Sequence, residues 1–542
     1  MADAKLSNGG LHSHNRAPSK EIRRRSLLLI RATSATRLLL LLLALHMSCT
    51  IFRFAIPLYL SPDRRFLPCT MAGNPALHSQ GEAAPSKSKR GMASLVHKKE
   101  REETEEGGEK DDGGEFWRQP DGLGFRPCLN FSEEYRRSSR RMMEVGGGEE
   151  ATMRRRFLMV VVSGGLNQQR NQIVDAVVIA RILEAALVIP ILQVNAIWGD
   201  ESEFADIFDE VRFKKELKDD VRVVSSLPPN FLTARPSADS IRQFDIDEQW
   251  ILSHFLGRMK RNRVLLLRGL DSRLSKDLGP DLQKLRCKVA FSALQFRPAI
   301  QAVGNALAAR MAEKGPYLAL HLRLEKDVWV RTGCLPGLGA EADRVIHQER
   351  TRKPRLLTSR IDMLPHQRYL AGLCPLRATE IVRLLKALGA SASTRIYLAG
   401  GQPFGGEEAV RPLLSEFPKL YNKTSLAMAG EIEQFEHQPS VMAALDYIVC
   451  LKSQVFMANH GGNMQRAMQG HRAYLGHRKH ITPQKKGLVQ LFMGNYTSTT
   501  DEQEVHDVIR KMHEDSVGAP SNRTDRKGRD VIAYPVPECM CR

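Results

Sequence analysis

Arg323 directly follows an apolar run, Tyr317 to Leu322 in YLALHLRLEKD, and His321, Glu325, Lys326 and Asp327 crowd the same few positions. Polar groups that follow a buried strand sit at its carboxyl end, where open α/β sheets take their ligands. A guanidinium there can grip a diphosphate at two points and neutralise charge as that group departs. The competing reading is an ion pair of Arg323 with Glu325 or Asp327, with His321 and Leu322 filling the strand.

Two further segments carry similar chemistry. SGGLNQQRNQ, from Ser163 to Gln172, places two glycines where backbone can approach a ligand, beside the amides of Asn167 and Gln168. It has neither the Gly-x-Gly-x-x-Gly pattern nor the lysine of a phosphate loop, so plain turn geometry also explains the glycines. From Ala443 to Lys479, a strand ends in a Gly-Gly turn and leads into a helical stretch. Asp446, Ser453, Asn463 and Arg472 of this segment can hydrogen-bond a base, ribose or phosphate; strand capping by Ser453 and turn chemistry at Asn463 are the plainer alternatives. His471 and His477 have no carboxylate at metal spacing, so no metal site is expected.

These residues need elements to hold them. FLMVVV after Arg156 is a β-branched run typical of a buried strand, followed by the glycine turn and a helix on which Ile173, Val174, Val177, Val178, Ile182 and Leu183 recur at helical spacing. Further strands are expected at Leu187–Leu192, Val264–Leu267, Tyr317–Leu322, Arg395–Leu398 and Val455–Ala458, with helices such as Pro298–Met311 and Ala378–Leu388 between them. Such alternation predicts an α/β protein with parallel sheets. It is read as two Rossmann-like domains, residues 154–314 and 315–510, meeting near Gly315 with the ligand in the cleft.

The ends have a different character. A chain of 542 residues exceeds one core at roughly 150 residues per domain. With 42% hydrophobic and 26% charged residues it is neither wholly disordered nor polytopic. Its net charge of +19 includes an arginine-rich start, and no basic-aromatic motif points to nucleic acid. Residues 1–37 are read as a cytosolic tail and 38–60 as a transmembrane signal anchor, with Arg53 snorkelling. An organelle transit peptide is the alternative. Residues 61–153, rich in Lys, Glu and Gly, are read as a flexible stem, and 511–542 as a disordered tail. Asn130, Asn422, Asn495 and Asn522 head glycosylation sequons. Some of the nine cysteines can pair in an oxidising lumen, and Cys539-Met-Cys541 could form a metal or redox site, although two cysteines without nearby histidines more often mean a tail disulfide or nothing.

In order along the chain, these segments resemble the plant O-fucosyltransferase family, related to the animal protein O-fucosyltransferases, from about Arg156 to Leu491. SGGLNQQRNQIVDAVVIARILEAALVIP matches the first block, DSRLSKDLGPDLQKLRCK with YLALHLRLEKD the middle, and AGLCPL, IYLAGG, ALDYIV, GNM and GHRAYLG the last. The resemblance implies a GT-B-like glycosyltransferase that takes GDP-fucose, inverts the anomeric centre, needs no metal or cofactor, and works in the Golgi lumen as a type II membrane protein on a protein or polysaccharide acceptor. It also implies that His321, Leu322 and Arg323 contact the donor, with Arg323 catalytic at the phosphates. Asp446, Ser453 and Phe456 match the nucleotide-binding strand and loop, and Asn167 and Gln168 the amide-rich loop. Departures from the family pattern are Asp327-Val-Trp-Val-Arg331, Ser453-Gln454, Asn459-His460-Gly461 and Ser275-Lys276. They leave open another donor, for rhamnosyl transfer or mannan synthesis, and a non-catalytic lumenal protein that binds glycan or a partner.

Overall fold

The computed structural model describes residues 114–144, 155–195, 199–233, 235–357, 362–493, 502–521, 530–536 and 538–542, all within the unit Lys87–Arg542. The expected anchor, residues 38–60, lies outside them. Among the described residues no helix is long and apolar enough to cross a membrane.

The first half begins with β1 (Phe157–Val162), in which Phe157, Leu158, Val160 and Val162 are fully buried. Each such side chain contributes about 1.5–3 kcal/mol by leaving water. Gly164 then turns the chain at φ +89°, a left-handed conformation that favours glycine. α1 (Leu166–Ile182) follows. It is apolar almost all round because it packs on the first sheet and also against helices of the second half. Next come β2 (Ala186–Val188), β3 (Ile191–Leu192), β4 (Val223–Val224), β5 (Ser237–Ser240), β6 (Val264–Arg268) and α2 (Pro280–Cys287). The strands run in parallel in the order β4-β2-β1-β6-β5, with β3 also paired to β1.

α3 (Pro298–Ala312), with proline at its first turn, leads to β7 (Tyr317–His321). The second half continues through α4 (Ala378–Ala387), β8 (Arg395–Ala399), β9 (Leu420–Asn422), α5 (Pro439–Lys452), β10 (Val455–Ala458), α6 (Asn463–Tyr474) and β11 (His480–Ile481). Its sheet is again all parallel, ordered β9-β8-β7-β10-β11. α3 lies on α5, and Gly304 makes this possible: a Cβ there would stand 2.6 Å from Ile448 Cδ1. The helix that precedes β7 thus packs on the second half's α5.

Two appendages read as unfolded are structured where described. Below residue 154, Phe116 (1% exposed) and Tyr135 (8%) are buried. Gln119 joins the body through Gln454 O and Lys479 N, and helix Glu133–Glu144 is amphipathic. The charge runs before Glu115 obscured these aromatic anchors. Beyond residue 510, helix Glu502–His513 packs on α4 through Val505 and Ile509. The segment from Asp530 then returns across the first half. Asp530 pairs with buried Arg286 at 2.8 Å, and Ile532 O passes so close to Gly470 that a Cβ there would lie 1.5 Å away.

Disulfides Cys128–Cys541 and Cys287–Cys539 fasten that tail, Cys334–Cys374 closes a loop in the second half, and Cys450 is buried and free. Replacing Cys539 and Cys541 together by serine is expected to cost about 2–4 kcal/mol, read as an earlier urea midpoint. An unchanged midpoint would mean that Asp530 and the apolar contacts hold the tail unaided.

Candidate functional site

Because both sheets are parallel, the loops after their strands gather along one edge of each. On the second sheet that edge carries His321 at the end of β7 with Leu322 and Arg323 just past it, Gly400-Gly401 after β8, Lys423 after β9, and Asn459 to Gly462 after β10. Asn459 is wholly buried: its Oδ1 accepts from Arg323 N at 2.7 Å, and its Nδ2 donates to Leu376 O at 3.0 Å. Glu325 steadies the arginine head. One carboxylate oxygen accepts from Gly401 N at 3.0 Å and the other from Arg323 Nε at 3.3 Å. The expected ion pair thus exists with Glu325, while Asp327 lies 3.9 Å from Arg331. It engages only Nε, and among the described residues the terminal nitrogens of Arg323 have no hydrogen bond. The fork of a half-buried guanidinium is left for an anion.

Gly400, at φ +137°, lets this edge close up, since a Cβ would sit 2.6 Å from Leu322 O. Under the turn, Asp446 Oδ1 accepts from Tyr397 Oη at 2.7 Å, and its Oδ2 accepts from Gly400 N at 3.1 Å and Lys423 Nζ at 2.7 Å. Lys423 also donates to Gly400 O at 3.0 Å. After β10, α6 starts at Asn463 behind Gly461-Gly462 with no side chain capping it. Uncapped N–H groups and the helix dipole favour an anion there.

The first sheet presents Ser163-Gly164-Gly165 after β1 and Gly269-Leu270-Asp271 after β6. Gln172 braces the glycine loop through Ser163 N (3.2 Å) and Ser163 O (2.7 Å), and Gln168 Oε1 accepts from Gly165 N at 2.9 Å. The two edges meet where Asn167 Nδ2 reaches Met464 Sδ at 3.3 Å, first turn of α1 against first turn of α6. Among the described residues, Asn167 Oδ1 and His321 Nδ1 are both buried without a hydrogen-bond partner. Such atoms are costly to leave unmade, which marks these two residues as ligand-facing candidates.

Burial, reinforced by Arg323, His460 and Lys423, lowers the pKa of His321 to about 3. It is a neutral imidazole at pH 7 and adds no charge to the site. Burial likewise drops His460, His471 and His480 to about 3. Each binds a proton in the unfolded chain near pH 6.5 but resists it when folded. Stability is therefore intact above about pH 6.5 and lost as the pH falls toward 3. Thermal melting should show a level midpoint from pH 8 to 7 and a steep decline below about 6; a midpoint level down to pH 5 would refute it.

The other expected site residues are placed differently. Leu322 is 3% exposed, with its side chain in the core. Ser453 and Phe456 do not reach the cleft: Ser453 closes α5 at the opposite edge of the sheet, donating to Cys450 O, and Phe456 is a core residue of β10. Asp446 lies on helix α5, not on a strand, and supports the glycine turn from below. Arg472 is buried at that opposite edge too, where Nη1 and Nη2 donate to the carbonyls of Cys450, Ser453, Gln454 and Lys479. Of the sequons, Asn130 is exposed, Asn422 is half-buried with Oδ1 capping Ser425 N, and Asn495 and Asn522 lie outside the described residues.

Lys423 and Asp271 were not singled out as site residues, because the elements that bring them to the edge are distant in sequence and leave no spacing signal; Glu325 enters the sequence reading only as an ion-pair partner of Arg323. The Asp245-Ile246-Asp247 triplet has divalent-ion spacing, yet Asp247 is used to cap Trp250 N at 2.7 Å. Among the described residues no three His, Cys, Asp or Glu side chains are grouped to hold a metal.

Two parallel sheets opposed edge to edge, with a free arginine fork and an uncapped helix on one side and a braced glycine loop on the other, define an α/β protein that can hold an anionic ligand between its halves. Residues 157–475 match the sequence model of GDP-fucose protein O-fucosyltransferase. The chain is 58% identical to O-fucosyltransferase 20 of Arabidopsis thaliana over 79% of its own length and 73% of that protein's. It is 35% identical to rhamnogalacturonan I rhamnosyltransferase 1 of the same plant, over 70% of this chain and 77% of the other. Among solved structures, POFUT1 in complex with GDP-fucose is similar with a TM-score of 0.35 and 13% identity, covering 59% of this chain and 94% of that one. The chain belongs to the O-fucosyltransferase family, a family of glycosyltransferases.

Proposed function

We propose that the protein transfers fucose from GDP-fucose to a hydroxyl of a protein or glycan acceptor, with inversion, as a GT-B-like enzyme. The observation that carries this reading is the Arg323 fork, fixed at its backbone by Asn459 and at Nε by Glu325, at the edge where the uncapped start of α6 also points. Charge accumulates on the departing diphosphate, and a fixed arginine stabilises that charge more in the transition state than in the bound donor. Asn167 and His321 supply polar groups to the sugar or nucleotide. Arginine and the helix terminus take the part a divalent ion has in other sugar-nucleotide enzymes, so turnover should survive EDTA. In this reading the body works in the Golgi lumen behind the 38–60 anchor, as a type II membrane protein, and protease protection in sealed vesicles tests that placement.

The likeness to a rhamnosyltransferase supports a second reading, the same site with another donor. Calorimetric titration of GDP-fucose, GDP-mannose and UDP-rhamnose into the wild type and Arg323→Ala separates them. Selective GDP-fucose binding supports fucosyl transfer, selective UDP-rhamnose binding supports the second reading, and no binding to any of the three overturns both.

A further inference from the structure

An inverting transfer needs a base on the face of the sugar opposite the leaving group. With the diphosphate held by Arg323 on the second half, the acceptor oxygen must approach from the first half, so the carboxylate required belongs to the edge of β1 and β6. Most acidic side chains near the cleft are already committed. Glu325 holds Arg323 and Gly401, and Asp446 holds Tyr397, Gly400 and Lys423. Asp175 is sealed inside, accepting from Arg273 N and facing Arg286, while Asp200 accepts from Ser202 N and Ser440 N.

Asp271 is different. It lies three residues beyond β6, half-buried, with Ser272 Oγ of its own loop 3.5 Å from one carboxylate oxygen, and the amides of Asn171 and Gln168 of α1 are close enough to lower its pKa. Those amides belong to the helix whose Asn167 meets Met464 across the cleft, so Asp271 stands on the wall opposite Arg323. Neutral amides beside a carboxylate stabilise its charge without neutralising it. We infer that Asp271 is the base that takes the proton of the acceptor hydroxyl, an inference that rests on the transferase reading above.

In the step, the acceptor O–H proton passes to the Asp271 carboxylate as the oxygen bonds to the anomeric carbon. The bond from that carbon to the diphosphate breaks, and its electron pair leaves on the phosphate oxygen beside Arg323. Desolvation by burial raises the Asp271 pKa above the usual carboxylate value, against the opposing influence of Asn171 and Arg273, and so makes it a better proton acceptor.

The test compares GDP release from GDP-fucose by wild type and Asp271→Asn, with water and with sodium azide as nucleophile. Azide needs no deprotonation. The variant should lose about 100-fold or more of the water reaction, keep the azide reaction within about threefold, and bind GDP as the wild type does. Loss of both reactions together with GDP affinity, or a water reaction within about threefold of wild type, would overturn the role; thermal melting of Asp271→Asn and Asp271→Glu identifies a folding defect, which would assign Asp271 to structure. A wild type that releases GDP with neither nucleophile would instead sink the transferase reading, and the inference with it.

Discussion

Arg323→Ala should lower turnover by about 100-fold or more, the range found when a preorganised donor to developing negative charge is removed. Stability should change little. The side chain is 25% exposed and makes one salt bridge, at 3.3 Å, so the urea midpoint should shift by less than about 1 kcal/mol equivalent. Arg323→Lys keeps the charge but loses the fork that spans two phosphate oxygens, and should recover only a part of the activity. Glu325→Gln keeps a carbonyl to accept from Gly401 N or Arg323 Nε but removes the charge that steadies the guanidinium, so a smaller loss is expected. The measurement is GDP release at saturating donor alongside urea unfolding. Full turnover by Arg323→Ala would show that the departing diphosphate is stabilised elsewhere, with the start of α6 the first alternative.

Arg472 should behave in the opposite way. Its side chain is fully buried, and its guanidinium donates to the carbonyls of Cys450, Ser453, Gln454 and Lys479 at 2.7–3.0 Å. It thereby satisfies the end of α5 and ties the entrance of β10 to the approach of β11. Burial and the nearby Arg478 lower its pKa to about 9, which still leaves it charged at neutral pH. Arg472→Met removes every one of these charged donors at once: Ser453 O loses the partner Arg472 gives it, while Cys450 O, Gln454 O and Lys479 O keep only Ser453 Oγ, Gln119 Nε2 and Phe456 N, and each lost bond from a charged donor costs about 1.5–3 kcal/mol. The expected loss is at least about 3 kcal/mol, with poor recovery of folded protein and undiminished GDP affinity in what remains folded. Urea unfolding reads the first effect and calorimetry the second. A stable variant that had lost GDP affinity would return Arg472 to the ligand site, where its position in a polar segment had suggested it.

These two arginines show how far the chain could be read without coordinates. FLMVVV, YLAL and VFMA are apolar and β-rich enough to be strands in any context, and they became β1, β7 and β10. Helices read as Pro298–Met311 and Ala378–Leu388 are observed as Pro298–Ala312 and Ala378–Ala387. The segment around Asp446, matched to a strand and loop only by resemblance, is helical; ALDYIVCL is largely apolar and β-branched in part, so its periodicity separates strand from helix poorly. Only packing between α3 and the second sheet makes it α5. The ends were misread for another reason. Composition averages over a window, whereas Phe116, Tyr135, Cys539 and Cys541 act singly, each by finding a partner far away in the chain.

What the sequence determined by itself is local: the order of strands and helices, the parallel α/β class those imply, and the presence of polar residues just past three of the strands. Side-chain type and spacing suffice for these, since they depend on neighbours within a few residues. Tertiary structure decided which polar residues face the cleft. Arg323 is held by Asn459, 136 positions on, and Asp446 by Lys423, 23 positions back. Ser453 and Arg472 satisfy each other at the far edge. Burial and hydrogen-bond partnership are non-local quantities, fixed only when the halves close on one another, and they separate an arginine available for chemistry from one that holds the fold.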